Sequence, residues 1–296
     1  MAVVAITATE RAAFKRCRRA WDLGARVRRG LEPLDAAPTA EHPAREALAV
    51  HYFPGMWAWD RTIVRPLVLK AAGVAAAFVE RYVDWAAGVD EFEPVRVEFD
   101  FDTRIPDPNG AGDLAAADGR AAHYQGRAHA LVVDEDRAHW LLVHRFGPWT
   151  DAKLLRLDEE AITAAWAWEQ TYLDARVHGV LYNELTPEAR FRRTRLRLPR
   201  AAIAQAGEQL ALEVAAMLDA GLALYPTPAA HCTTCPFVAP CMVMQDGNAA
   251  EDLLARDYRL RASEDLQEGR LGGVTWGMGR GAMPARFAAD PQRPSG

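Results

Sequence analysis

The chain has 296 residues, half of them hydrophobic and a quarter charged, with a formal net charge of −5. That length can bury a substantial core, in one large domain or two ordinary ones. The acidic balance excludes nucleic-acid binding through overall charge and leaves only a local basic patch for it.

Lysine occurs only at Lys15, Lys70 and Lys153, so arginine carries nearly all the positive charge. The opening stretch "MAVVAITATERAAFKRC" is too short and too soon charged for a signal peptide. No apolar run approaches the ~18 residues of a spanning helix, so no membrane is expected. Four cysteines without an export signal point to a reducing cytoplasm, where they serve metals more often than disulfides.

In chain order, residues 7–29 open with a capping box, Thr7 to Glu10, and continue as a helix bearing Phe14, Cys17, Trp21 and Leu23. A Pro-containing loop at 33–43 leads into two helical segments over 44–88, broken near Pro54-Gly55 and Pro66. "VRVEFDFDTRI" (95–105) alternates apolar and acidic residues, as a half-buried strand does. Residues 124–146 form a hairpin about Asp134-Glu135-Asp136. A helix over 158–176, a strand at "HGVLYNEL", a basic strand at "RFRRTRLRLPR" and a helix over 200–224 follow. The fold class is α/β with a mixed central sheet flanked by helices, one domain over 1–261. Residues 262–296 form a Gly/Arg/Pro-rich tail, partly disordered.

After the last helix comes "HCTTCPFVAPC", with Cys232, Cys235 and Cys241 at C-x-x-C-x₅-C spacing. Three thiols so spaced suit a metal or cluster with one ligand missing. The remaining cysteine, Cys17, lies on the first helix. If it completes the site, the two ends of the domain are tied together, and metal–thiolate bonds offset the entropy of closing so long a loop. The alternative is a buried apolar Cys17, with His231 and the other three cysteines holding zinc.

The lone cysteine in "TATERAAFKRCRRAWDL", answered by C-x-x-C-x₅-C, resembles the iron–sulfur branch of the RecB-like PD-(D/E)XK nucleases. That branch includes the CRISPR adaptation nucleases and AddB-like subunits. The resemblance spans roughly residues 7–245. It implies a restriction-endonuclease-like fold closed by a [4Fe–4S] cluster on Cys17, Cys232, Cys235 and Cys241. It also implies a centre that cuts DNA with Mg²⁺ or Mn²⁺ held by carboxylates, with a lysine beside the attacking water. The family order is a His on an early helix, a Glu-bearing strand, a G-x-h-D strand, an E-h-K hairpin strand, then a helix with Gln and Tyr.

His51 in "EALAVHYF" and Glu98 in "VRVEFDF" stand in the first two places, each with a plain structural alternative as a buried histidine or a solvated strand face. The centre then departs from the pattern. Gly126 is followed by His129 where the Asp belongs. Val143 and Arg145 replace the Glu and Lys, and Glu160 replaces the Gln. Val143 offers no ligand atom, and arginine does not act as a base at neutral pH. His144 falls on the opposite strand face from Val143 and Arg145, away from His129, so at most His51, Glu98 and His129 converge, to bind Mg²⁺ or Mn²⁺ weakly if at all.

Two literal spellings of the superfamily motif, Pro106-Asp107 and Asp151-x-Lys153, lie in a turn and beyond a strand end, and are read as decoys. The arginines of "RFRRTRLRLPR" either contact phosphates or keep a solvated edge strand from aggregating, and the acidic chain favours the second. The expected function is a nuclease-fold protein with a degenerate centre (His51, Glu98, His129, Arg145). It would act as a DNA-associated or complex-forming structural protein of larger assemblies, in phage or mobile-element biology. The alternatives are an active exonuclease with a rearranged site, and a redox-responsive or zinc-stapled adaptor.

Overall fold

A computed structural model describes residues 3–36, 42–172, 175–261, 270–271 and 274–275. The chain divides into a unit of residues 1–263 and a second of residues 264–296. In the second, β9 (Arg270–Leu271) pairs antiparallel with β10 (Val274–Thr275); the rest of the expected tail lies outside the described residues.

The first unit opens with β1 (Val4–Ile6), α1 (Ala8–Arg16) and α2 (Arg18–Gly24). The capping box is present: the Glu10 amide donates to the Thr7 hydroxyl and the Thr7 amide to the Glu10 carboxylate. The helix expected over 7–29 is broken in two at Cys17, whose extended backbone (φ −163°) turns the chain between α1 and α2. A short β2 (Leu31–Pro33) precedes α3 (Ala44–His51), α4 (Arg61–Ala72) and α5 (Ala76–Ala86).

The break expected at Pro66 falls elsewhere. Pro66 sits inside α4, and the chain turns at Gly73, whose φ of +50° a residue with a Cβ rarely adopts. This corrects the reading of the apolar runs as well. Residues Arg61–Ala86 are long and apolar enough, by length and composition, to cross a membrane. Here they fold back on themselves: Arg65 on α4 bonds Asp84 (2.6 Å) and Glu80 (2.8 Å) on α5. Each leg alone is shorter than the ~20 residues a span requires.

The central sheet follows in β3 (Phe92–Arg104), β4 (Ala122–Asp134), β5 (His139–Phe146), β6 (Val177–Leu185) and β7 (Phe191–Arg197). α6 (Ala152–Leu155) and α7 (Glu159–Thr171) carry the crossover from β5 to β6, which pair in parallel. β4 is the spine of the sheet. One edge runs antiparallel to β3; the other takes β1 in parallel at its start and β5 antiparallel at its end. β7 is the antiparallel edge beyond β6. The protein is α/β with a mixed central sheet flanked by helices.

One face of the sheet packs Phe99, Tyr124, Leu141 and Tyr182 against α1, α2, α7 and α8 (Arg200–Leu218), with Trp21, Trp166 and Trp168 filling the layer. The other face packs Val132, Trp140, Leu142 and Leu181 against α3 and α5 through Leu48, Tyr52 and Tyr82. α4 lies on α3 and α5 through Val64, Val68, Ala47 and Val79. The C-terminal part of the unit, α9 (Val238–Gln245), α10 (Glu251–Asp257) and β8 (Tyr258–Leu260), returns to the N-terminal helices. β8 pairs with β2, and Phe237 and Leu254 pack with Leu23.

Candidate functional site

The break between α1 and α2 places Cys17 at a corner, 6% exposed, where its carbonyl accepts from the Trp21 amide. Cys232 lies within a 3₁₀ turn (Ala230–Thr234) and Cys235 caps its end, its amide donating to the Cys232 carbonyl (3.3 Å), and Cys241 lies on α9. α2 meets this segment closely: a Cβ on Gly24 would stand 2.8 Å from the Phe237 ring. Cys17, Cys232 and Cys241 all lie within electrostatic reach of the Cys235 thiol. Burial pushes the Cys235 thiol up, and the charges of Cys17, Cys232 and Cys241 push it further. Arg19 Nη1 reaches the Cys241 carbonyl (3.4 Å) and Sγ (3.7 Å), across 222 residues of chain. The Nε2 of His231 is buried with no hydrogen-bond partner among the described residues. Among those residues no group of three or more His, Cys, Asp or Glu side chains stands at metal-holding geometry. In kind, an all-thiol donor set suits a cluster or zinc.

The second candidate lies at an irregularity of the sheet. On β3, Val97 packs with the α3/α5 face but Phe99 with the opposite one, and on β4 Ala130 and Ala128 do the same. Both strands switch faces at the residues between, Glu98 and His129. Glu98 takes the left-handed φ of +43°, strained for a residue with a side chain. Gly126 admits the Phe101 ring, which a Cβ there would meet at 2.4 Å. The Glu98 carboxylate is bound by Arg45 of α3 through two nitrogens, at 3.1 and 2.7 Å.

His129 does what the sequence did not suggest. Its Nδ1 accepts the His144 amide (3.1 Å) just past the last β4–β5 ladder pair, Ala130–Leu142, and the two rings lie 5.4 Å apart. The expectation that His144 points away from His129 is therefore corrected. The face switch turns the His129 ring toward the β5 backbone.

His51, at the end of α3, is buried against Tyr52, with its Nε2 unsatisfied among the described residues. Burial holds it neutral, down to about 3, with Arg61 and Arg193 adding to the effect. Burial and Arg45 hold His129 down to about 4. His144 is also driven well below its ordinary range, by burial and then by His129. Arg145 is on the other face of the sheet, as is Val143. It binds Asp158 at the start of α7 (2.7 Å) and lines an open groove of about 380 Å³ with Arg11, Thr150 and Glu160. Burial raises the Glu160 carboxyl, and Asp158 raises it further. Arg45 lies within electrostatic reach of both His129 and Glu160, which links the two halves.

Sequence reasoning missed a buried polar network beside His144. Asn183 of β6 donates to the Tyr82 hydroxyl (2.6 Å) and contacts His144 Nδ1 (3.2 Å). The Tyr52 and Tyr82 hydroxyls meet at 2.6 Å. Arg193 of β7 binds Asn183 and Asp90, the latter at 2.6 Å. The one available signal was an Asn-Glu pair inside the otherwise apolar strand "HGVLYNEL".

The basic strand is answered by acids within the fold. Arg192 pairs with buried Glu184, Arg193 with Asp90 and Arg195 with Asp134. Arg195 also lies over the Trp140 ring (4.1 Å). The decoys are structural: Asp107 accepts from the Asn109 amide in a turn, and Asp151 caps α6 by accepting from the Lys153 amide.

No protein-family model and no curated protein matches the chain. Among solved structures it is similar to the crystal structure of SSO0001, over 69% of this chain and 86% of that one, with 12% identity and a TM-score of 0.33. A likeness of that size carries no functional argument.

Proposed function

We propose that this is a RecB-like protein of restriction-endonuclease-like fold, closed by a [4Fe–4S] cluster on Cys17, Cys232, Cys235 and Cys241. Its nuclease centre has decayed, and it serves as a DNA-associated or complex-forming structural protein. The observation that supports the reading is the close packing of α2, which follows Cys17, on Phe237, together with the reach of Arg19 to Cys241, which bring the two ends of the unit together at their cysteines. When bound, such a cluster supplies iron–thiolate bonds that cross-link the chain. The chain's own part is to hold α2 against Phe237 and to bring the Cys241 thiol toward Cys17 through Arg19.

Support for the decayed centre is chemical. Mg²⁺ and Mn²⁺ are held chiefly by carboxylate and other oxygen ligands. His129 spends its Nδ1 on a backbone amide, Glu98 is neutralised by Arg45, Val143 packs with the apolar core and Arg145 pairs with Asp158. These positions do not fit such a metal, and no cleavage step is derived through one. Labelled single- and double-stranded DNA incubated with the protein and Mn²⁺ tests this half: the expected result is no cleavage above background, and robust cutting overturns it.

The His231 Nε2, without a hydrogen-bond partner among the described residues, favours a second reading, zinc on His231 and the C-terminal cysteines. Metal analysis separates the two, since zinc without iron decides for the second.

A further inference from the structure

We infer that Arg19 is the positioning residue of the thiol corner, holding Cys241 toward Cys17 and raising the reduction potential of the iron–sulfur group proposed there. The inference rests on the cluster reading above. Three contacts carry it. The Arg19 amide donates to the Tyr225 carbonyl (3.2 Å), which fixes α2 to the chain leading into the cysteine segment. The Arg19 Nη1 then reaches both the carbonyl and the Sγ of Cys241. Its neighbour Arg18 is turned elsewhere, over the rings of Tyr225 (5.1 Å) and Phe14 (5.3 Å).

A guanidinium stays charged at every working pH. A charged N–H donor at a ligating sulfur favours the state with more negative charge, which for an iron–sulfur group is the reduced one. Arg19 therefore acts twice. Its backbone and carbonyl bonds assemble the corner whether or not metal is present, and its donation to sulfur acts on the redox couple alone. The second action distinguishes a tuning residue from a merely structural one.

The test is a dithionite potentiometric titration of anaerobically purified protein, followed by visible absorbance, with iron measured in every sample. At the potential where half the unmodified protein is reduced, Arg19→Gln should lower the reduced-to-oxidised ratio roughly tenfold, a midpoint about 59 mV more negative. Arg19→Lys keeps the charge without the planar fork and should show a smaller fall in the same direction. Arg29→Gln removes a nearby arginine that pairs with Asp22 and should leave the midpoint in place.

An iron-loaded Arg19→Gln with the unmodified midpoint overturns the inference and leaves the cluster reading standing. If Arg19→Gln fails to load iron, Arg19→Lys decides, and an unshifted midpoint there overturns it. Absence of iron from the unmodified protein overturns the cluster reading itself, and the inference with it.

Discussion

The thiol corner and the Glu98–His129 corner belong to one unit but are built on opposite terms. At the first, residues of one kind come from the two ends of the unit, with Cys17 beside α2 and Cys232, Cys235 and Cys241 in the segment that α2 packs against at Phe237. At the second, unlike residues have already found partners inside the protein. Glu98 holds Arg45, His129 takes the His144 amide, and Arg145 holds Asp158. A metal arriving there would have to displace hydrogen bonds and ion pairs already made. The contrast is one of partners: the polar groups of the second corner are engaged by one another, while the first presents four cysteines that form no disulfide.

The strongest way to break the comparison is to reverse the second corner. Replacing His129→Asp, Val143→Glu and Arg145→Lys together restores the carboxylates and the lysine. The missing groups amount to roughly 4 kcal/mol or more of transition-state stabilisation, about a thousandfold in rate. Mn²⁺ binding by calorimetry should tighten in the triple variant, and DNA cutting should rise from background. Cleavage by the unmodified protein that Asp151→Ala abolishes would make the α6 cap a catalytic group and dissolve the contrast.

Next in size is the network behind His144. Arg193→Met leaves the Asp90 carboxylate buried beside Tyr52 without its cation, and breaking such a pair costs about 3–5 kcal/mol. Urea unfolding followed by tryptophan fluorescence should show a loss of that order. A change below about 1 kcal/mol would mean that the network is solvated, where exposed ion pairs contribute that little.

The buried histidines give a pH dependence of definite sign. Burial holds His51 at about 3 and His129 at about 4 in the folded protein, against ~6.5 in the unfolded chain. The unfolded chain therefore takes up protons below pH ~6.5 that the folded protein refuses. Stability is fully present above ~6.5 and falls as the pH drops toward 4. Each histidine removes about 2 kcal/mol between pH 7 and pH 5. His129→Gln keeps an acceptor for the His144 amide and should shrink the loss by about that amount; an unchanged slope would show His129 to be solvated. The smallest effect belongs to the thiol side: Thr7→Ala removes the cap of α1 and should cost about 1 kcal/mol in thermal or urea unfolding.

Much of the fold could be read from patterning. The capping box, the hairpin between β4 and β5, the strand at "HGVLYNEL" and the helix from residue 200 all fall near their expected places, because apolar spacing and turn residues act locally. What escaped was set at a distance. The short strands β1 and β2 form by pairing with β4 and β8 respectively, which no local window contains. Pro66 misled because α4 holds it inside a helix anchored by its neighbours Val64 and Val68, while the turn was set by Gly73.

The geometry around the candidate residues was not legible in the sequence. His129 was expected to face away from His144 by strict alternation, and alternation fails at the left-handed Glu98 opposite it. The arginines of β7 read as a surface because their partners, Asp90, Asp134 and Glu184, lie elsewhere in the chain.

The central claim, that the thiol corner is a live ligand site while the Glu98–His129 corner is a spent one, is tested most directly by iron, sulfide and zinc content. The samples are anaerobically purified unmodified protein and its Cys17→Ala variant. The account predicts about four irons with matching sulfide per unmodified chain, and loss of colour or of soluble protein in the variant. About one zinc and no iron, or full iron content in soluble Cys17→Ala, would contradict it.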